Sequence, residues 1–208
     1  MTSQSDHASD STGGRPHGGA PHRVVITGTG AVTCLGLDVA TTWASMRDAT
    51  TGIGHYGTSE FEKYPGEWAI KIAGEATGFD PGVALEHREA KKLDRSTQFG
   101  MVAAAQAVAQ SGIDFDKQDN TRCGVVIGSG VGGIGTIEAS LNALRDKGSS
   151  RVNPFTVPKL MVNATAGNVS IKYGLEGPAS AHATACASSG HAIGDAMRYI
   201  RRGECDIM

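Results

Sequence analysis

The residues with chemistry to offer lie near the C-terminus, in Ala183-Thr184-Ala185-Cys186-Ala187-Ser188-Ser189-Gly190-His191-Ala192-Ile193-Gly194. One cysteine stands at the junction of an expected strand and an expected helix, among small residues that let a substrate approach closely. The positive end of a helix dipole favours thiolate, the nucleophilic form. A hydrolase elbow would put glycine two residues to either side of the nucleophile. Here those positions hold Thr184 and Ser188, small enough for a tight turn but not the hydrolase pattern. His182 and His191 are near Cys186 in sequence. Strand alternation and helical rotation do not guarantee contact with the thiol, so both read as ordinary polar or packed histidines.

A second candidate is the glycine loop. Gly128, Gly130 and Gly133 form a GxGxxG after a strand and before a helix, the context of a dinucleotide loop. Such a unit needs a second strand ending in an acid about 20 residues on. That place holds Ser149-Ser150-Arg151-Val152-Asn153-Pro154, with a proline and no acid. Gly28-Thr29-Gly30 fails because Thr33 stands at the third glycine position, and no Lys-Ser or Lys-Thr follows either loop as a P-loop requires. No cofactor is expected.

Composition narrows the classes further. A formal charge of −2 and 5% aromatic residues leave neither the basic footprint nor the stacking surface of a nucleic-acid binder. An apolar share of 39% over 208 residues is enough to fill a core. Cys34, Cys123, Cys186 and Cys205 are scattered without a CxxC pair, which argues against structural zinc and for reduced thiols. No apolar run approaches a membrane span, and residues 1–22, rich in Ser, Gly, His and Asp, read as a disordered polar tail without a signal-peptide core. One ordered domain is expected over 23–208, in a cytoplasmic setting.

The elements that must position these residues alternate. Val24 to Thr27 reads as a short buried strand. A helix follows from Asp38, with Val39, Trp43 and Met46 on one face. Residues from Thr51 to about Pro81 read as irregular, with a short strand at Ala69 to Ala73. Arg88 to Ser111 reads mostly as helix, with Phe99, Val102, Ala103 and Gln106 on one face and Gly112 as its stop. Cys123 to Gly128 is a buried strand. Ile134, Ile137, Leu141 and Leu144 follow helical spacing, and a further helix runs from near Pro158 to Gly174. Pro178 to Ala185 is the strand entering the cysteine turn, Ala187 to Arg202 a helix, and Glu204 to Met208 the start of another strand. Strands alternating with helices mean a layered α/β fold with a largely parallel sheet. The chain halts inside an expected strand, as part of a larger unit would.

Several separated segments, in order, resemble the elongating β-ketoacyl-acyl-carrier-protein synthases of the thiolase superfamily. They are Arg23 to Gly28 with Gly30; Asp94-Arg95 with Ala103-Ala104 and Ser111-Gly112; Ile127 to Gly133; Asn153-Pro154-Phe155 with Val157-Pro158 and Asn163; and Gly177-Pro178 to Cys186. The pattern looks most like bacterial type II synthase II. The resemblance implies the N-terminal half of a thiolase-like layered α/β/α fold with a mixed, largely parallel sheet. It implies that Cys186 is acylated by an incoming thioester, with its own N–H as one oxyanion donor, and that Val131 and Phe155 border the acyl pocket. It further implies that the strand Ala179 to Ala185 pairs across a homodimer two-fold. It makes Arg88, Lys91 and Lys92, spaced i, i+3, i+4 on one helix face, a dock for the acidic acyl carrier protein, with Arg151 beside them. In such synthases two histidines, a lysine and a second oxyanion donor come from the C-terminal half, outside these residues. The expected reaction is condensation with malonyl thioester in fatty acid elongation. A polyketide-type ketosynthase and a non-catalytic ketosynthase-like partner subunit are the alternatives, with a dehydrogenase a distant third.

Overall fold

The computed structural model describes residues 23–55 and 69–208. The expected polar tail, and part of the stretch read as irregular between Thr51 and Pro81, lie outside the described residues.

Two helix starts follow the capping chemistry of the sequence. Helix α1 (Val39–Arg47) begins where Asp38 accepts the Thr41 amide. Helix α3 (Arg95–Ser111) is capped by Asp94 and ends at Gly112, which takes the left-handed conformation with φ 68°. That cap also corrects the expected single helix from Arg88. Helix α2 (His87–Ala90) is only one turn long, because the Asp94 carboxylate takes the Ser96 amide and starts a new helix. The remaining helices are α4 (Ile134–Lys147), α5 (Thr156–Leu160), α6 (Ala164–Tyr173) and α7 (Ser188–Arg201).

Strands β1 (Ile53–His55) and β2 (Ile72–Gly74) form an antiparallel pair at the periphery. Strands β3 (Val125–Gly128) and β4 (Ala179–His182) pair in parallel, Gly128 opposite His182. On the other edge of β3, Cys123 forms a parallel bridge with Ile207, so the chain after α7 begins the next strand of the same sheet. Arg122 fixes that return with Nε and Nη2 on the two Asp206 carboxylate oxygens at 2.6 and 2.7 Å. Among the described residues the two pairs are thus separate sheets, the peripheral one antiparallel and the one that leads into the cysteine turn parallel.

Alternation along β3 sets the layers. Val125 and Ile127 face the main core with Met101 of α3 and Ala166 and Val169 of α6. Gly128 points to the opposite face and meets the start of α7. Helices α3 and α6 thus cover one face and α7 the other, giving the expected α/β/α order. Where α3 and α6 cross, a Cβ on Gly100 would fall 2.4 Å from the Thr165 methyl.

Residues 24–27 depart from expectation. They form no strand, and Val25 and Ile26 are exposed. A strand needs a ladder partner, and none of the described residues supplies one. The segment that follows runs along α3 instead, with Gln110 Oε1 accepting the Thr29 amide at 2.6 Å and Gln106 Oε1 accepting the Ala31 amide at 2.9 Å. The apolar stripes expected to be covered are also open: Trp43 and Met46 of α1, Ile134, Leu141 and Leu144 of α4, and Ile193 of α7 are exposed among the described residues. So is Ile171, expected on the packed face of α6. No described helix is long and apolar enough to cross a membrane.

Candidate active site

Cys186 sits in a single turn of 3-10 helix, Ala185–Ala187, between the end of β4 and the first turn of α7. It is exposed, as Cys34 is, whereas Cys123 and Cys205 are buried. Burial pushes the Cys123 and Cys205 thiols up, with the nearby Asp119 and Asp206 charges adding to Cys123. Those two are held as neutral thiols, the unreactive form.

The turn is backbone-strained. Ala185 has φ 50°, a left-handed conformation for a residue with a Cβ, costing about 1–2 kcal/mol. Ser188, 2% exposed, closes it from inside. Its Oγ accepts the Thr184 amide at 2.8 Å and donates to the Ala185 carbonyl at 2.7 Å. Outside, the Thr184 hydroxyl meets His191 Nδ1 at 2.9 Å, and His182 Nε2 donates to Asp195 Oδ2 at 2.8 Å. Arg198 Nη1 holds the other Asp195 oxygen at 2.7 Å. The Arg198 hydrogen bond, with the His182 and Arg198 charges, keeps the Asp195 carboxyl below its ordinary range against a smaller opposing effect of burial. Both histidines therefore belong to side-chain pairs flanking the cysteine turn. Sequence spacing left them unassigned because strand alternation and helical rotation do not guarantee contact with a thiol four or five residues away. The usable signal was two spacings together, His182-x-Thr184 at and just past the end of a strand and His191-x-x-x-Asp195 on one helix face.

The glycine loop lies against this turn. A Cβ on Gly128 would fall 2.3 Å from the Ser189 amide nitrogen, and one on Gly130 would reach 3.8 Å from Ala185 Cα. Val131 follows, and is exposed. The rest of the loop packs against the end of α5. A Cβ on Gly132 would meet the Leu160 carbonyl oxygen at 2.5 Å, and one on Gly133 the Lys159 carbonyl oxygen at 2.5 Å. The three closest-packed glycines of the loop therefore serve backbone-to-backbone packing. Among the described residues no group of three His, Cys, Asp or Glu side chains is arranged to hold a metal.

Arg88, Lys91 and Lys92 are all exposed, but not on one helix face as expected. Arg88 is in α2, Lys91 caps it, and Lys92 lies beyond, because i→i+3 bonds from Lys92 to Glu89 and from Leu93 to Ala90 tighten the chain there. Lys159 of α5 joins them, its ammonium donating to the Lys91 carbonyl at 3.2 Å. Lys159 and Arg151 line one small cavity with Thr136 and Ser140. Lys92 Nζ lies 5.9 Å from the centre of the Phe155 ring, so Phe155 is half-exposed at the edge of the basic surface. None of these five cations has an ion pair among the described residues. Lys159 was missed because it lies on a separate segment that only the fold brings to Lys91.

A parallel pair of strands between helices, with an exposed cysteine in the turn before α7 and a glycine loop packed against the start of α7, fits a thiolase-like α/β fold. Residues 22–208 match the β-ketoacyl synthase N-terminal domain, and the chain belongs to that family. It is 40% identical over 186 residues to 3-oxoacyl-[acyl-carrier-protein] synthase 2 of Staphylococcus aureus strain COL, covering 89% of this chain and 44% of the relative. It is 39% identical over 189 residues to the synthase of the same name from Vibrio cholerae, with the same coverage. Among solved structures it superposes with a TM-score of 0.73 and 25% identity on a complex of a type II polyketide acyl-carrier protein with its ketosynthase bound to a hexaketide, covering 87% of this chain and 47% of that one. The chain spans less than half the length of the curated relatives it matches.

Proposed function

We propose that the protein is a condensing acyltransferase that extends an acyl chain on acyl carrier protein by two carbons, as in fatty acid elongation. One observation carries this: Cys186 is the exposed thiol of a strained strand-to-helix turn, with a glycine loop against its back. Its thiolate attacks the thioester carbonyl of an acyl carrier, the carbon–sulfur bond to the carrier breaks, and the carrier thiolate leaves. The Cys186 N–H, at the start of α7, faces the oxyanion that forms. A malonyl thioester then loses CO2, and its enolate carbon attacks the acyl carbonyl. A carbon–carbon bond forms, the bond to Cys186 breaks, and the thiolate returns with a 3-oxoacyl product. In this reading donors for the decarboxylation step come from the half of such synthases outside these residues, and residues 1–208 alone do not condense.

In this reading Val131 and Phe155 border the acyl pocket, and Arg88, Lys91, Lys92 and Arg151 receive the acidic carrier. β4 pairs with a second copy, and the reaction runs in the cytoplasm. The two named relatives support the fatty-acid substrate. Likeness to the ketosynthase bound to a hexaketide favours a second reading, a polyketide-type substrate on the same cysteine. Mass spectrometry after exposure to acyl-carrier thioester or cerulenin tests both. The adduct is expected on Cys186 and absent from Cys186→Ala; an adduct on Cys34 in its place overturns the assignment. Preference for linear saturated over polyketone thioesters separates the two substrates.

A further inference from the structure

A residue with a Cβ stays at positive φ only where its surroundings over-determine the backbone. Ser188 accounts for the inside of the Cys186 turn. The outside is held by a different device. His182 ends β4, Thr184 stands two residues on, and both side chains reach α7. His191 and Asp195 are four apart and share a face of α7. The four side chains meet as rungs, Thr184 with His191 and His182 with Asp195, which bracket Cys186 from both sides in sequence. The rings of His182 and His191 lie 6.0 Å apart, edge to face, so the rungs also touch each other. Arg198, one turn further along α7, binds the Asp195 oxygen that His182 leaves free and so fixes the carboxylate plane. Neither ring hydrogen-bonds the Cys186 thiol among the described residues. The contacts these rings do make are to the segments on either side of the sulfur.

We propose that the His182–Asp195 and Thr184–His191 pairs form a two-rung ladder that positions Cys186 for acylation, with His182 and Asp195 as positioning residues. This rests on Cys186 being the acyl acceptor. The ladder ties the end of β4 to the second and third turns of α7, so the strained turn between them has both anchors fixed. Without the outer rung, the strand end is free to shift, and Ala185 can relax out of its positive φ. A shift near 1 Å at a reacting atom is enough to cost on the order of a hundredfold in rate. His182 and Asp195 are both partly exposed, so their removal leaves the buried core intact.

The test is single-turnover acylation of Cys186 by an acyl-carrier thioester, for the parent protein, His182→Ala, Asp195→Ala and His182→Gln. The alanine variants are expected to lower the limiting rate about ten- to a hundredfold, with the half-saturating thioester concentration and the melting temperature unchanged. His182→Gln, whose amide can still donate to Asp195, is expected to recover most of the rate, which a merely structural loss would not. The ladder is overturned if Cys186 of the parent is acylated and both alanine variants match its rate, or if glutamine restores nothing. Should the parent take no acyl group, the acyl-acceptor reading fails instead. Iodoacetamide alkylation of Cys186 then reads the ladder by itself: equal rates across the four proteins overturn it, and slowed alkylation in the two alanine variants with recovery in His182→Gln upholds it.

Discussion

Asp94 Oδ2 accepts the Thr136 hydroxyl at 2.6 Å and the Thr136 amide at 3.1 Å, while Oδ1 accepts the Ser96 amide at 2.9 Å. One buried carboxylate thus caps both α3, where it is the N-cap, and α4, whose own N-cap Gly133 has no side chain. Burial pushes this carboxyl up, but the hydrogen bonds from Thr136 and Ser96 together outweigh it, so its pKa lies below the ordinary 3.8. A carboxyl depressed by folding contributes stability that is complete above about pH 5 and is lost as pH falls through the folded-state value. Asp94→Ala is expected to lose about 1–4 kcal/mol at neutral pH, roughly twice the loss of a single cap. Asp94→Asn should lose less and show a shallower fall in stability below about pH 4. Urea unfolding across pH checks both; an acid limb as steep in Asp94→Asn as in the parent would contradict the shared cap.

Gly128 is where the end of β3 packs on the helix that follows Cys186. A Cβ there would sit 2.3 Å from the Ser189 nitrogen and 2.4 Å from the Ser188 carbonyl carbon. Both are backbone atoms of the first turn of α7 and cannot rotate away. Gly128→Ala is expected to push α7 off the end of β3, costing about 1–3 kcal/mol as overpacking does, and to slow acylation of Cys186. Gly190→Ala is the control, since nothing lies within 4 Å of its Cβ position. Equal unfolding midpoints for the two variants would show that α7 does not need this close approach.

Much of this was legible where one residue's local chemistry decides the outcome. Asp38 and Gly112 mark helix ends by capping, and the Cys186 turn falls between a strand and a helix, as its small residues require. What sequence did not give depends on partners distant in the chain. Val24 to Thr27 has strand composition, but a strand exists only with a ladder beside it, and here Gln106 and Gln110 of α3 take the following amides. The break between α2 and α3 required knowing that Asp94 is buried and shared with Thr136, which periodicity cannot show. The ladder around Cys186 needed strand end and helix face to be superposed, and Lys159 needed α5 to be folded against α2.

β4 pairs with β3 on one edge, and its other edge has no partner among the described residues. An open edge of unpaired amides and carbonyls invites a second strand. A second copy supplying its own β4 is expected to protect the amides from Ala179 to Ala183 against hydrogen exchange in proportion to protein concentration. Sedimentation should show a dimer over the same range. Protection that does not vary while the protein remains monomeric would mean that another segment covers this edge.

The basic surface makes a prediction about rate more than about affinity. Lys91, Lys92, Lys159 and Arg151 come from three segments and have no acidic partner among the described residues, so their field is open to a partner's charge. Exposed charges of this kind steer encounter and are screened beyond about 8 Å at physiological salt. Lys91→Glu with Lys92→Glu is expected to cut the association rate of acyl carrier protein by about tenfold or more at low salt, with the difference shrinking as salt rises. Lys159→Ala should have a smaller effect on association, because its ammonium also holds the Lys91 carbonyl at the end of α2. Acylation of Cys186 by a small thioester lacking the carrier should be unchanged in both variants, since none of these lysines touches the cysteine turn. Stopped-flow association at two salt concentrations, paired with the small-thioester assay, separates the cases. Loss in both assays would mean that the substitutions disturb the fold around α2 and α5, and loss in neither would move the carrier's dock to another face.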